Sequence, residues 1–318
     1  MKIVLLRMLH VLSVNPTNVR MISLALIKKI QQFIDRKRDA EKIMVNIGGL
    51  RFFKRHWKVL DYRHPESRHY DSLGIDINHD LLSGKKFPWD DHSVSFFTSA
   101  HTLEHLLDPA LPHIFREMYR CLKPGGAVRV TVPDYDYLYD CLLENDDFGI
   151  MNSNGSAEYY RYLSACEFYG TEIADRMFPS PQWPRSHTLI EGPFTKQQVA
   201  DRWVNQVATH REGEFSYDEL QCMARQMGRE QFGDFLTHNV TMEYKRRNPG
   251  SHNVWFNYEK MAHLFKEAGF ELVYKSAPNK SKFDEFRGVG KYWGFDWRRM
   301  ETSLYVEAVA QHVNGHSA

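Results

Sequence analysis

The stretch Phe87-Pro88-Trp89-Asp90-Asp91-His92-Ser93-Val94-Ser95-Phe96-Phe97-Thr98-Ser99-Ala100-His101-Thr102-Leu103-Glu104-His105-Leu106 decides the fold, together with its continuation through Lys123-Pro124-Gly125-Gly126 to Pro133-Asp134. Residues 93–99 form a β-rich run. Leu111, Ile114, Phe115, Met118 and Leu122 then recur at steps of three and four, which puts them on one face of a helix. Pro124 cannot continue that helix, and Gly125 or Gly126 can take φ > 0 and turn the chain into a second β run, Ala127 to Val132. Strand, helix, tight turn and strand is the pattern of a βαβ unit in a parallel sheet. The polar cluster Ser99 to His105 therefore falls at the carboxyl end of a strand, where open α/β sheets bind ligands.

Upstream, Ile43-Met44-Val45-Asn46-Ile47 reads as a buried strand ending in Gly48-Gly49, a turn that lets backbone approach a ligand closely. Trp57-Lys58-Val59-Leu60 is the next strand and ends at Asp61. The gap between them is too short for a full crossover helix, which needs about a dozen residues. An acidic residue ending the strand after a glycine turn is placed to accept ribose hydroxyls. Leu73-Gly74-Ile75-Asp76-Ile77 is a third strand candidate, followed by Asn78-His79-Asp80-Leu81. Residues 1–40 read as an N-terminal helical extension in which Ile22, Leu26, Ile30 and Ile34 lie four apart among Lys28, Lys29, Arg36 and Lys37. Two readings of that helix stay open. It packs on the main domain or on a second copy in a homodimer, or it lies on a membrane surface as a peripheral contact. Met1 to Val14 is broken by Lys2, Arg7 and His10 and does not have the uninterrupted apolar core of a signal peptide.

Downstream, residues 141–250 change character, with helical patches at Leu220, Met223, Met227 and Phe232 to Phe235 and a proline-rich loop at 179–184. Strand grammar resumes after Gly250. Asn257 is the expected N-cap of a helix carrying Met261, Leu264, Phe265 and Ala268, closed by Gly269. Strands at Phe270 to Tyr274 and Ser303 to Val309 follow. The expected organisation is an α/β domain over 41–140 and 251–312, an inserted, mainly helical cap over 141–250, and a tail over 313–318.

Composition narrows the classes. The 318 residues are 42% apolar and 25% charged, which suits a globular chain. A net charge of +1 gives no global basic field, so no nucleic-acid partner is expected. Lys245-Arg246-Arg247 reads more readily as a solvated face than as a phosphate-binding patch. The four cysteines form no CxxC pair, which suggests neither a disulfide framework nor a zinc ribbon and suits a reducing, cytoplasmic setting.

These residues resemble class I S-adenosylmethionine-dependent methyltransferases, most closely the small-molecule and glycan-associated branch of the methyltransferase type 11 kind. The resemblance rests on Val45-Asn46-Ile47-Gly48-Gly49, on His56 to Asp61, on Phe87 to Val94, on Ala100-His101-Thr102-Leu103-Glu104-His105, on Leu122 to Gly126 and on Val132-Pro133-Asp134. Asn257 to Phe270 and Ser303 to Ala308 are similar to the family's final helix and last strand. The sequence departs from the family pattern at Leu50, where a second glycine would stand. The resemblance implies a Rossmann-like seven-stranded sheet whose last strand is antiparallel, with S-adenosyl-L-methionine across the ends of the first four strands. It implies that Asn46, Gly48 and Gly49 line the amino-acid part of the cofactor. It also implies that Asp61 accepts the ribose hydroxyls, that Asp80 and Leu81 lie beside the adenine, and that the backbone at Ser99 and Ala100 lines the site near the methyl group.

The expected activity is methyl transfer to a small molecule or glycan, at an oxygen nucleophile, which needs near-attack geometry and a base. His101 is the first choice for that base, because it lies just past the fourth strand and an imidazole titrates near neutrality. Against this stands a purely orienting or capping role. Asp134 either binds or deprotonates substrate or caps the next helix. Glu104 and His105 are expected to tie the helix start to neighbouring loops. Tyr159-Tyr160-Arg161-Tyr162, Trp183, Arg185 and His187 form either a substrate wall or ordinary packing. His101 to His105 also spells HxxEH, the inverted zinc-peptidase motif. The βαβ context accounts for it better, and no metal is expected. A cofactor-free scaffold that keeps the fold is the main alternative, and a zinc hydrolase the remoter one.

Overall fold

The computed structural model describes residues 42–48, 57–63, 75–152, 193–277, 280–287 and 302–311. Residues 1–40, expected as a helical extension, Gly49, Leu50 and the aromatic group from Tyr159 to His187 lie outside these residues. The sheet and the helices belong to the unit Ile43–Ala318.

Seven strands form one sheet: β1 (Ile43–Ile47), β2 (Trp57–Asp61), β3 (Ile77–Asn78), β4 (Val94–Ala100), β5 (Leu122–Pro133), β6 (Leu272–Lys275) and β7 (Ser303–Val309). Their order is β3-β2-β1-β4-β5-β7-β6. The pairs β1 with β2, β1 with β4, β2 with β3 and β4 with β5 are parallel. β7 runs antiparallel to both its neighbours. This is the Rossmann-like sheet with an antiparallel last strand. The order reverses between β1 and β4, and ligands of open α/β sheets sit outside the carboxyl ends of strands at such a switch point.

Helix α1 (Leu111–Cys121) joins β4 to β5. Leu111, Ile114, Phe115 and Met118 are each fully buried, which contributes on the order of 10 kcal/mol of transfer free energy before conformational entropy is subtracted. The helix stops at Cys121, and Leu122 is already extended and paired with Val94. β5 is thus longer than the run expected from Ala127. Gly125 takes φ +76° inside it, a conformation open to glycine. α1 packs beside the helix Tyr258–Glu267, with Phe115 edge-on to Phe265 at 4.7 Å. Asn257 caps that helix by accepting from the Lys260 backbone N–H at 2.9 Å. Phe270 belongs to this packing layer rather than to β6, edge-on to Phe265 at 5.1 Å. β3 has only two residues, shorter than the candidate run Leu73 to Ile77, of which Leu73 and Gly74 lie outside the described residues.

Side chains alternate along β5. Val128, Val130 and Val132 enter the main core, while Arg129 faces the other side and forms a buried ion pair with Glu307 of β7. Tyr274 and Ser281 also donate to Glu307, at 2.7 Å and 3.0 Å. Between β5 and β6 the chain forms helices numbered on from α1: α2 (Tyr135–Glu144), α3 (Asp147–Asn152), α4 (Lys196–Val207), α5 (Tyr217–Met227), α6 (Arg229–Thr237) and α7 (Met242–Arg247), with the helix Tyr258–Glu267 as α8. Helices α2 to α6 share a second core, in which Trp203 stacks on Phe232 at 5.6 Å and its indole N–H donates to Leu138 O at 2.7 Å. This core draws on Tyr135, Leu138 and Tyr139 upstream of residue 141 and on Trp255 downstream of 250. Thr195 and Ser216 start α4 and α5 with capping boxes.

Candidate cofactor pocket

A cavity of about 310 Å³ opens at the carboxyl ends of β1, β2 and β4, within the range of small-ligand sites. Its floor is Gly48 after β1, Asp61 and Tyr62 at the end of β2, Asp80 to Leu82 after β3, and Ala100 to Thr102 after β4. Met242, Lys245 and Arg246 of α7, with Pro249 and Gly250, complete it from the inserted segment.

Gly48 has φ +68°, and a Cβ built there would lie 2.2 Å from the Thr102 side chain. Both observations require glycine. Asn46 is buried beneath the turn and donates to Gly48 O at 2.6 Å, so it holds the loop rather than lining the cavity. Asp80 caps the short turn Leu81–Ser83, accepting from the Leu82 backbone N–H at 2.9 Å. Asp61 accepts from the Tyr62 backbone N–H at 2.7 Å, and burial pushes its carboxyl up to about 6. Lys245 is buried, donates to Pro249 O at 2.5 Å, and is pulled down to about 8 by burial.

Of the residues expected to hold cofactor, Gly48, Asp61, Asp80, Leu81 and Ala100 meet in this cavity, and Gly49 lies outside the described residues. Ser99 is buried in the sheet between Ile47 and Val130 and does not line it. Asp134 does not line it either. It caps α2, accepting from the Asp136 backbone N–H at 3.0 Å, and burial raises its carboxyl.

His101 lines the cavity in the left-handed region, with φ +50°. Its Nδ1 donates to Glu104 Oε1 at 3.1 Å, and in the neutral ring Nε2 carries the lone pair and accepts from the Ser303 hydroxyl at 3.1 Å. The lone pair a base needs is thereby turned to Ser303. The HxxEH string does not form a zinc-peptidase helix, because Leu103–His105 is a single 3₁₀ turn and His101 is turned to Glu104 and Ser303. Glu104 O accepts from Asn253 N at 2.8 Å, and His105 Nδ1 donates to Ser251 O at 3.1 Å, so this turn fastens segment 251–254 to the sheet.

The inserted wall was missed by sequence reasoning. Lys245-Arg246-Arg247 reads as a solvated face, yet Lys245 is buried and Arg246 lines the cavity. Met242 and Lys245 at one face of a short helix, followed by Pro249-Gly250, were the available signal.

Residues 63–130 match the model of the methyltransferase domain family. A search of curated proteins found no match. Among solved structures, the chain is similar to a possible histamine N-methyltransferase from Thermotoga maritima (14% identity, 85% of this chain and 83% of that one, TM-score 0.35). It is also similar to an S-adenosylmethionine-dependent methyltransferase from Archaeoglobus fulgidus (10% identity, 90% and 93%, TM-score 0.38). A third is a Haemonchus contortus phosphoethanolamine N-methyltransferase in complex with S-adenosyl-L-methionine (10% identity, 84% and 48%, TM-score 0.34). The strand order and the antiparallel β7 are those of a Rossmann-like methyltransferase sheet, and the match over 63–130 to the methyltransferase domain family agrees with it. S-adenosylmethionine is the cofactor that goes with it. The residues present fit that cofactor, with a Cβ-free turn at Gly48, a carboxylate at the end of β2 and an apolar contact at Leu81.

Proposed function

We propose that the chain is a methyltransferase acting on a small molecule or glycan, at an oxygen nucleophile. The observation that carries this reading is the convergence of Gly48, Asp61, Asp80, Leu81 and Ala100 on one cavity at the switch point of the sheet. S-adenosylmethionine supplies an electrophilic sulfonium methyl when bound. Asp61 accepts the ribose hydroxyls, Leu81 packs on the adenine, and the Gly48 turn admits the amino-acid end without side-chain obstruction. Met242, Lys245 and Arg246 shield the cavity from water and bring positive charge to the acceptor side. His101 orients the site. Its Nε2 can serve as a base toward an acceptor only on leaving the Ser303 hydroxyl.

A cofactor-binding scaffold without turnover is the second reading, favoured by the engagement of both His101 nitrogens. Incubation with methyl-labelled S-adenosylmethionine and a panel of sugars, phenols and carboxylates separates the two. Label transferred to an oxygen acceptor supports the enzyme. Tight cofactor binding with no transfer to any acceptor class supports the scaffold. Among the described residues no helix is long and apolar enough to cross a membrane. The surface contact or homodimer expected of residues 1–40 stays a proposal for that segment.

A further inference from the structure

Glu104, His105 and His252 each offer one ligand atom, and these atoms lie within 4.8 Å of one another. The three come from two places in the chain, the turn after β4 and the segment leading to α8. Each imidazole holds Nδ1 against a backbone carbonyl, Ser251 O at 3.1 Å for His105 and Gln206 O at 2.7 Å for His252. A carbonyl only accepts, so each Nδ1 carries the proton and each lone pair falls on Nε2. This is the outer hydrogen bond that fixes metal-binding histidines in position. The rings sit 4.9 Å apart, centroid to centroid. Glu104 is 1% exposed, and its Oε2 has no hydrogen-bond partner, although Oε1 accepts from His101. An unpartnered carboxylate oxygen buried beside two such imidazoles is costly unless a cation satisfies it.

We propose that Glu104, His105 and His252 bind a divalent first-row cation, zinc foremost, which clamps segment 251–254 to the turn after β4. Two imidazoles and a carboxylate are a donor set that zinc accepts, with a fourth position left for water. Ligand atoms around a tetrahedral zinc lie about 3.3 Å apart, so the side chains close by roughly 1–1.5 Å on binding. The site uses His105 but not His101, so it is not the sequence HxxEH pair, and it replaces the expectation of no metal. It stands independently of methyl transfer. Because His105 also lines the cavity, the metal would border the acceptor side of the pocket.

The test uses the full chain, stripped with chelator and titrated with cobalt and then zinc. Visible d–d bands that saturate stoichiometrically and bleach on zinc addition are expected. A rise in Tm of about 5 °C is expected when zinc is roughly 100-fold above Kd. His252→Ala and Glu104→Gln should lose the bands, while His113→Ala, in α1 with its Nε2 against Lys85 O, should keep them. Absence of both bands and Tm rise in the wild-type chain overturns the site, and that result does not depend on whether any variant folds. Bands that persist in folded His252→Ala and Glu104→Gln overturn it as well, because the metal then sits elsewhere.

Discussion

Lys245 of α7 and Asp61 at the end of β2 line one cavity, and burial outweighs their mutual attraction for both. Each charge acts on the other in the favourable sense. Even so, Asp61 is pushed up to about 6 and Lys245 down to about 8. The pocket thus holds two incompletely solvated charges, an arrangement that the hydroxyls of a polar ligand relieve.

Asp61→Asn is expected to weaken cofactor binding and stabilise the free protein. A folded pKa raised from 3.8 to about 6 gives stability that is complete below 3.8 and is lost as pH rises through about 6. Removing the charge recovers on the order of 1–2 kcal/mol above pH 7, after discounting for screening. Denaturant melts at pH 7.5 and calorimetry with S-adenosylhomocysteine read the two effects, which have opposite signs. Equal or lower stability of the variant would contradict the buried-charge account.

Cofactor affinity of the wild-type chain should fall as pH drops through about 6, where Asp61 takes up its proton. Lys245→Met removes a charge that lowers that carboxyl, so the midpoint should move to higher pH. Titrations at half-unit pH steps in both proteins test this. An unmoved midpoint would show that the lysine does not act on Asp61.

Gly48→Ala combines a left-handed residue with a contact of 2.2 Å on Thr102. A loss of about 2–3 kcal/mol in stability and at least tenfold in cofactor affinity is expected. Adding Thr102→Gly should recover part of the stability, because the steric share is relieved and the φ cost stays. Full recovery, or none, would place the strain elsewhere.

Much of this pocket was legible in the sequence because its floor is local. Asp61 ends a strand, Gly48 ends another, and the βαβ unit around Ala100 announces itself by period and punctuation. The wall was not legible. Lys245 and Arg246 reach the cavity only through the tertiary placement of α7, and a basic triplet on a short helix carries no mark of burial. For Asp134 the sequence left two roles open, and the structure shows the helix cap, because being at a strand end fixes the height in the sheet but not the direction of the side chain. His252 could not be joined to Glu104 and His105 from spacing alone, since 146 residues separate Ser251 from His105.

Glu307→Gln should destabilise the fold by about 3–5 kcal/mol, because it leaves Arg129 charged and buried without its partner. Exchanging Arg129 and Glu307 together for apolar residues should cost less than either single change. Denaturant midpoints of the single and double variants measure it. Additive losses would contradict a coupled pair.

The most direct measurement is a calorimetric titration of the full chain with S-adenosylhomocysteine at pH 7.5, repeated with Asp61→Ala. Saturable one-site binding that weakens at least tenfold in the variant is the predicted result. No binding up to millimolar ligand, or equal binding by both proteins, would contradict the assignment of this cavity to the cofactor.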